Sequence, residues 1–121
     1  MSRGMVRISS QACTDIADTL RFTQMRLGEF IRNRYHDLLQ KTFRALAEQQ
    51  TYPGSVMRDE LAPGLRSLHL SFIVLQKTDG RMFRPRHVVF YRTGTDQTVE
   101  ILRVLHDAME VSRHLNQLDQ E

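Results

Sequence analysis

The sequence predicts an α+β fold in which an N-terminal strand and a helical hairpin pack on an antiparallel β-sheet, in the order β-α-α-β-β-β-α. Between residues 10 and 50, apolar side chains recur every three or four positions, which is the period of an amphipathic helix. After Gly64 they alternate with polar side chains, which is the period of a strand. With 121 residues, the chain is expected to form a single domain, residues 1–121.

The first half of the chain is predicted to form a short strand and two helices. Residues 5–9 alternate as a strand, and Ser9 or Ser10 can cap the helix that follows, which is expected to end at Gly28. The second helix, residues 29–50, follows at once, so the two should form an antiparallel hairpin. The residues expected on the inner faces are Ala12, Ile16, Ala17, Leu20 and Leu27 of the first helix, and Ile31, Tyr35, Leu38, Leu39, Thr42 and Leu46 of the second.

Three strands and a final helix are predicted in the second half. The strands are residues 65–76, 86–93 and 98–105, and the helix is residues 107–118. The strand 98–105 is apolar on both faces, so it should lie centrally in the sheet. The helical hairpin can cover one face, but the last helix is too short to cover the other completely. Part of the sheet is therefore expected to stay exposed for a partner. The inward side chains expected of the first of these strands are Leu68, Leu70, Phe72 and Val74.

Composition favours a cytoplasmic protein, and the charge suits either an acidic partner or a solvated surface. The formal net charge is +3, and Lys41 and Lys77 are the only lysines, so arginine supplies most of the positive charge. Arginine is suited to planar contacts with phosphates and carboxylates, which indicates a nucleic acid or an acidic peptide, although a solvated surface explains the charge equally well. The sequence contains no stretch of about 20 apolar residues, and its first ten residues lack the apolar core of a signal peptide.

Standard catalytic and cofactor motifs are absent from the sequence. The five histidines include no pair at helical i,i+4 spacing, and there is no cysteine cluster, so no metal site is expected. No glycine-rich loop precedes a helix, and there is no Gly-x-Ser-x-Gly elbow. The single cysteine, Cys13, is expected to be buried in the first helix. We therefore expect neither a cofactor nor a metal.

Two groups of basic side chains are candidates for binding. The first surrounds the predicted hairpin tip and consists of Lys77, Arg81, Arg84 and Arg86. Together with Phe83 it could grip a nucleic-acid backbone, or it could only keep the hairpin soluble. The second lies on neighbouring strands and consists of Arg66, Arg92, Arg103 and His106. It could hold a phosphate and supply a general acid, as a metal-free ribonuclease requires. Alternatively, Arg92 and Arg103 could pair with Glu100 or with a helix carboxylate.

Three segments resemble the ParE branch of the ParE/RelE toxin superfamily. They are RDELAPGLRSLHL (58–70), RHVVFYR (86–92) and VEILRVLHDAMEVSRHL (99–115). The resemblance implies a RelE/ParE-like fold and the role of toxin in a type II toxin–antitoxin pair. Such a toxin inhibits DNA gyrase without catalysis, blocks replication, and is neutralised by a ParD-like antitoxin in a hetero-oligomer. Residues 68–85 depart from the family pattern, because ordinary members have a much tighter connection there.

The resemblance also implies roles for particular residues. The residues expected to face the target are Arg66, Arg92, Arg103, His106, Met109 and His114. Those expected to bind the antitoxin are Leu20, Tyr35 and Leu39, together with the sheet edge. The basic residues of the long hairpin, Lys77, Arg81, Arg84 and Arg86, are candidates for added partner contacts. The alternative is a RelE-like, ribosome-dependent mRNA endoribonuclease, in which Arg66, Arg92 and His106 would be catalytic.

Overall fold

The computed structural model describes residues 5–74, 84–109 and Leu115. Its elements are β1 (Val6–Ile8), α1 (Ser10–Leu27), α2 (Glu29–Glu48), β2 (Val56–Met57), β3 (Arg66–His69), α3 (Ser71–Val74), β4 (His87–Thr93) and β5 (Val99–His106). The strands form one sheet in the order β1-β5-β4-β3-β2. β1 runs parallel to β5 and the other pairs are antiparallel. The predicted fold class and element order are confirmed, with the two-residue β2 and the four-residue α3 as additions.

The helical hairpin is built by two local signals. Ser9 caps α1, because its side-chain oxygen accepts a hydrogen bond from the backbone N–H of Ala12 at 3.0 Å. Gly28 separates the helices with a φ of +96°, a conformation that L side chains rarely adopt. Its N–H donates to the carbonyl oxygen of Gln24, which satisfies one of the last acceptors of α1. The predicted end of α1 is therefore confirmed, while α2 ends two residues earlier than predicted.

The inner face of α2 agrees with the prediction except that Ile31 is only partly buried and Phe43 is added, whereas that of α1 is narrower. Ala12 and Leu20 are buried, whereas Ala17 and Leu27 are exposed, so their predicted burial is wrong. The prediction for Cys13 is also wrong, because this side chain is exposed. Successive helical residues are rotated by about 100°, so Cys13 lies beside the buried stripe when Ala12 points into the core. The buried residues of α2 are Tyr35, Leu38, Leu39, Thr42, Phe43 and Leu46.

The predicted strand 65–76 is much shorter than expected. β3 ends at His69, and residues 71–74 form the short helix α3. Leu70 and Ile73 are both buried, and this spacing of three residues is helical, so Phe72 turns outward and is partly exposed. The inward orientation predicted for Phe72 is therefore wrong. Of the predicted hairpin tip, residues 77–85, the part 77–83 lies outside the described residues.

β5 lies within the sheet and has an apolar cluster on each face. Phe90 of β4 faces Arg103, and Tyr91 faces Ile101, so Leu102 is an extra residue that forms a bulge. The helices cover one cluster. The second cluster consists of Ala62, Leu65, Phe90, Leu102, Leu105 and Leu115. The expectation that this face stays partly open over β5 is wrong, because the loop before β3 and Leu115 cover it.

The C-terminal helix predicted over residues 107–118 falls largely outside the described residues. Its one described inner position, Leu115, is helical and buried. Within the described part of the chain, no helix is long and apolar enough to span a bilayer.

Candidate partner-binding surfaces

The arginine at the centre of β5 is held by an internal carboxylate. The Arg103 guanidinium donates to both carboxylate oxygens of Asp15 on α1, from Nε at 2.8 Å and from Nη2 at 3.0 Å. Asp15 also accepts the backbone N–H of Val104 at 2.9 Å. The two charged side chains are only 11% and 13% exposed. This ion pair therefore links α1 to β5. It confirms the alternative in which Arg103 pairs with a carboxylate of a helix.

The other two sheet arginines also have partners within the chain. Arg92 donates to Glu100 at 3.2 Å, and the same carboxylate accepts from Arg7 at 3.0 Å. This pairing confirms the expectation that Glu100 is a partner of the sheet arginines. Arg66 donates from Nη2 to the hydroxyl of Ser55 at 2.7 Å, while its buried Nε has no hydrogen-bond partner among the described residues. These contacts tie strand to strand and strand to loop.

The three residues of the ribonuclease alternative are not gathered at one site. Arg66 faces Tyr91 across β3 and β4, whereas His106 faces His87 across β4 and β5. Those two positions on β4 are four residues, or about 13 Å, apart. Arg92 follows Tyr91 directly, so its side chain projects from the opposite face of the sheet. The arrangement does not place one phosphate within reach of all three side chains.

His106 instead lines a cleft of about 570 Å³ between α1, the start of α2 and the ends of β4 and β5. In its wall the hydroxyl of Tyr35 accepts the backbone N–H of Arg86 at 3.2 Å and donates to Nδ1 of His87 at 2.5 Å. Nε2 of His87 therefore carries the ring proton, which points to the hydroxyl of Thr19 at 3.4 Å. Burial raises the pKa of Tyr35 to about 12 and, with the nearby His106, lowers the pKa of His87 to about 4. Both groups are neutral near pH 7.

A charged cluster beside this cleft connects the ends of three strands. Arg86 donates to Asp107 from Nε at 3.1 Å and from Nη2 at 2.9 Å, and Nε2 of His69 donates at 2.9 Å. Arg86 and His69 hold the pKa of the Asp107 carboxyl well below its usual range. His106 accepts the backbone N–H of Ala108 on Nδ1 at 3.0 Å. The described residues contain no group of three or more metal-ligating side chains.

This cluster was missed in the sequence, although one signal for it was present. His69, His87 and His106 each stand at an end of one of three consecutive strands. Antiparallel neighbours bring such ends together, and the register places His87 directly opposite His106. Arg86, which was assigned to the basic hairpin, belongs to this cluster instead through its ion pair with Asp107.

A second groove, of about 540 Å³, lies between α1 and α2 on the side away from the cleft. Leu20 and Leu39, two of the residues predicted to bind the antitoxin, line this groove, whereas Tyr35 lines the cleft instead. Its described basic lining residues are Arg21, Arg32 and His36, and none of its described lining residues is acidic. We call this surface the interhelical groove. Its apolar floor and basic border suit an amphipathic acidic segment.

The connection between the two helices exposes a third surface, which the sequence reading did not identify. Phe22, Met25, Leu27 and Phe30 are between 61% and 76% exposed. The guanidinium carbons of Arg26 and Arg34 lie 5.3 and 5.8 Å from the ring centres of Phe22 and Phe30, respectively. We call residues 21–34 the helical tip.

The remaining predicted site residues are only partly described. Arg84 and Met109 are exposed and line the cleft. Lys77, Arg81 and His114 lie outside the described residues. The roles assigned to these five residues stay predictions.

Comparison with known proteins shows which family this chain belongs to. Residues 6–111 match the family model of the ParE toxin of the type II toxin–antitoxin system parDE. The chain is 34% identical over 110 residues to Toxin ParE1 of Caulobacter vibrioides, which covers 90% of this chain and 95% of that protein.

A solved structure described as the chromosomal ParDE TA system from P. aeruginosa has a similar fold. Its chain superposes with a TM-score of 0.61 at 14% identity, covering 86% of this chain and 96% of the other. At this identity the likeness concerns the fold alone. The family match and the curated relative together establish membership: the chain belongs to the ParE toxin family of type II toxin–antitoxin systems.

Proposed function

We propose that this chain inhibits DNA gyrase, so that replication stops, and that a ParD-like antitoxin neutralises it in a hetero-oligomeric complex. The family match over residues 6–111 is the observation that carries this proposal. The relative Toxin ParE1 and the structural likeness to a ParDE chain support it. The proposal places the protein in the cytoplasm, where gyrase and its DNA are found.

The interhelical groove is the proposed seat of the antitoxin. Leu20 and Leu39 give it an apolar floor, and Arg21 and Arg32 stand among its border residues. An antitoxin segment that folds as an amphipathic helix would bury its apolar stripe on this floor and direct its carboxylates at the arginines. The groove therefore suits the acidic peptide that the net charge predicted.

Inhibition without catalysis accounts better for the sheet than ribonuclease chemistry does. Arg103 and Arg92 are paired with Asp15 and Glu100, and Arg92 projects from the face opposite His106. Both ring nitrogens of His87 contact hydroxyl groups, and its low pKa keeps it from donating a proton near pH 7. These features favour a protein that acts by occupying its target.

The decisive experiment measures supercoiling of relaxed plasmid by purified DNA gyrase in the presence of increasing amounts of this protein. We expect loss of supercoiling, or accumulation of cleaved plasmid, and recovery when the cognate antitoxin is added. Full gyrase activity in an excess of folded protein contradicts the proposal. In that case, messenger RNA cleavage on ribosomes becomes the next assay.

The antitoxin seat can be tested separately by reversing charge at the groove border. Arg21→Glu with Arg32→Glu should weaken antitoxin binding by about tenfold or more, because opposed carboxylates would replace favourable contacts. The control for each single substitution is Arg44→Glu, which makes the same change in charge, because Arg44 is exposed on α2 but does not line the groove. Calorimetric titration gives both affinities. Equal weakening by the control would show that only net charge matters.

A further inference from the structure

The helical tip combines features that usually occur apart on a protein surface. Its four large apolar side chains are exposed by 61% to 76%, and they flank Gly28 closely in the sequence. Contiguous exposed apolar groups of this size mark interaction sites in folded proteins. Aromatic residues, methionine and arginine are also the types enriched at protein–protein interfaces. The composition of the tip is therefore that of an interface rather than of a solvated turn.

The tip is also positively charged, although Arg21 pairs with Asp18 just outside it. Residues 21–34 contain four arginines and one glutamate, a formal charge of +3 that equals the net charge of all 121 residues. Two of these arginines, Arg26 and Arg34, stack over Phe22 and Phe30. Stacking restricts the guanidinium group of Arg26, and this residue is exposed, so it can meet a carboxylate of a partner. The positive charge of the tip is therefore complementary to an acidic surface on a partner.

Part of the tip lies outside the two concave surfaces, although Phe22, Arg26 and Leu27 also line the cleft. Met25 and Phe30 line neither the cleft nor the interhelical groove, and each is at least 70% exposed. Side chains so exposed project from the end of the hairpin. An antitoxin tail that folds on binding needs a groove, but a projecting apolar group needs a pocket already formed in a folded partner.

We propose that the helical tip is the anchor that enters an apolar pocket with an acidic border on the folded target of this toxin. The inference rests on the proposed function and adds where the target is contacted. The sequence analysis placed the main target contact on the sheet, but Arg92 and Arg103 form ion pairs within the chain. The inference therefore places this contact on the helices. Contact with nucleic acid explains the tip less well, since phosphates need cations but not four exposed apolar side chains.

The test compares two exposed apolar pairs. The variant Phe22→Gln with Phe30→Gln removes both stacked rings from the tip, while glutamine maintains the helices. The matched control, Val56→Gln with Met57→Gln, removes two exposed apolar side chains from the edge strand β2. For each protein, gyrase supercoiling, growth arrest on expression and antitoxin affinity are measured, with circular dichroism and thermal unfolding as checks of the fold.

We expect the tip variant to need about tenfold or more protein for half-inhibition of gyrase and to lose growth arrest, with antitoxin affinity unchanged. The control should behave as the unmodified protein. Inhibition and growth arrest that survive in the folded tip variant overturn the inference, as does loss of antitoxin affinity alone.

The two proposals can fail separately. If the unmodified protein arrests growth without inhibiting gyrase, the proposed function is wrong. The tip inference then stands if the tip variant abolishes arrest, and it falls if arrest persists. An unmodified protein that neither inhibits gyrase nor arrests growth contradicts both proposals.

Discussion

The sheet arginines Arg103 and Arg92 differ in their surroundings from Arg26 of the helical tip, although the residue type is the same. Arg103 and Arg92 point at carboxylates supplied by their own chain, and the first of these pairs is nearly excluded from water. Arg26 instead stacks on the ring of Phe22 and is exposed at the end of a hairpin. The difference teaches that an arginine-rich composition does not locate a binding surface. A largely buried carboxylate within reach, as Asp15 is for Arg103, commits an arginine to the fold.

The strongest test of the structural role is Arg103→Met. It leaves the Asp15 carboxylate largely buried beside the backbone N–H of Val104 without its guanidinium partner. Breaking a buried ion pair from one side costs about 3–5 kcal/mol, so we expect the free energy of unfolding in urea to fall by about 3 kcal/mol. A loss below about 1 kcal/mol would show that this pair contributes no more than a surface ion pair.

Of the two histidines that line the cleft, His87 should make the free energy of unfolding depend on pH. The folded-state pKa of His87 is about 4, below the ordinary value of 6.5, so the unfolded chain binds more protons between these two values. Its contribution is therefore fully present above pH 6.5 and is lost as the pH falls towards 4. We expect the free energy of unfolding to decrease by about 2 kcal/mol between pH 7.5 and pH 5.

The matched variant for this prediction is His87→Gln, which cannot titrate. Urea unfolding of both proteins at the two pH values isolates the histidine contribution. A pH dependence that is unchanged in the variant would contradict the assignment.

The smallest effect is expected for Arg92→Met. Arg92 is 47% exposed, and its partner Glu100 keeps a second contact to Arg7. An ion pair this exposed is worth about 0.2–1 kcal/mol, so the thermal midpoint should move by only a few degrees. Gyrase inhibition should change little if the helical tip is the main target contact. A large loss of inhibition with an intact fold would return the target surface to the sheet.

Much of the fold was readable in the sequence because its signals are local. Ser9 and Gly28 delimit α1, and the double-sided apolar pattern of residues 98–105 identifies an interior strand. The predicted strand 65–76 failed for a different reason. Alternation is satisfied by Leu68 and Leu70, but burial of Ile73 together with Leu70 requires a helical turn, and that choice depends on the core around them.

The candidate surfaces were less predictable than the elements, because they depend on which elements meet. Nothing local to Asp15 indicates that its carboxylate reaches Arg103, which is 88 residues away along the chain. Likewise, Leu27 continues an apolar period but is exposed at the last position of α1. Periodicity assigns a side chain to a face of its own helix and cannot show whether another element covers that face.

The sequence by itself determined the family, the helical hairpin, the central strand and the basic character of the chain, because motifs, caps, periods and charge are properties of neighbouring residues. Only the tertiary structure decided that the sheet arginines are paired, that His87 stays neutral against Tyr35, and that the apolar surface of the hairpin end is left exposed. These outcomes depend on distances and burial between segments far apart in the chain. They are set when the hairpin packs on the sheet.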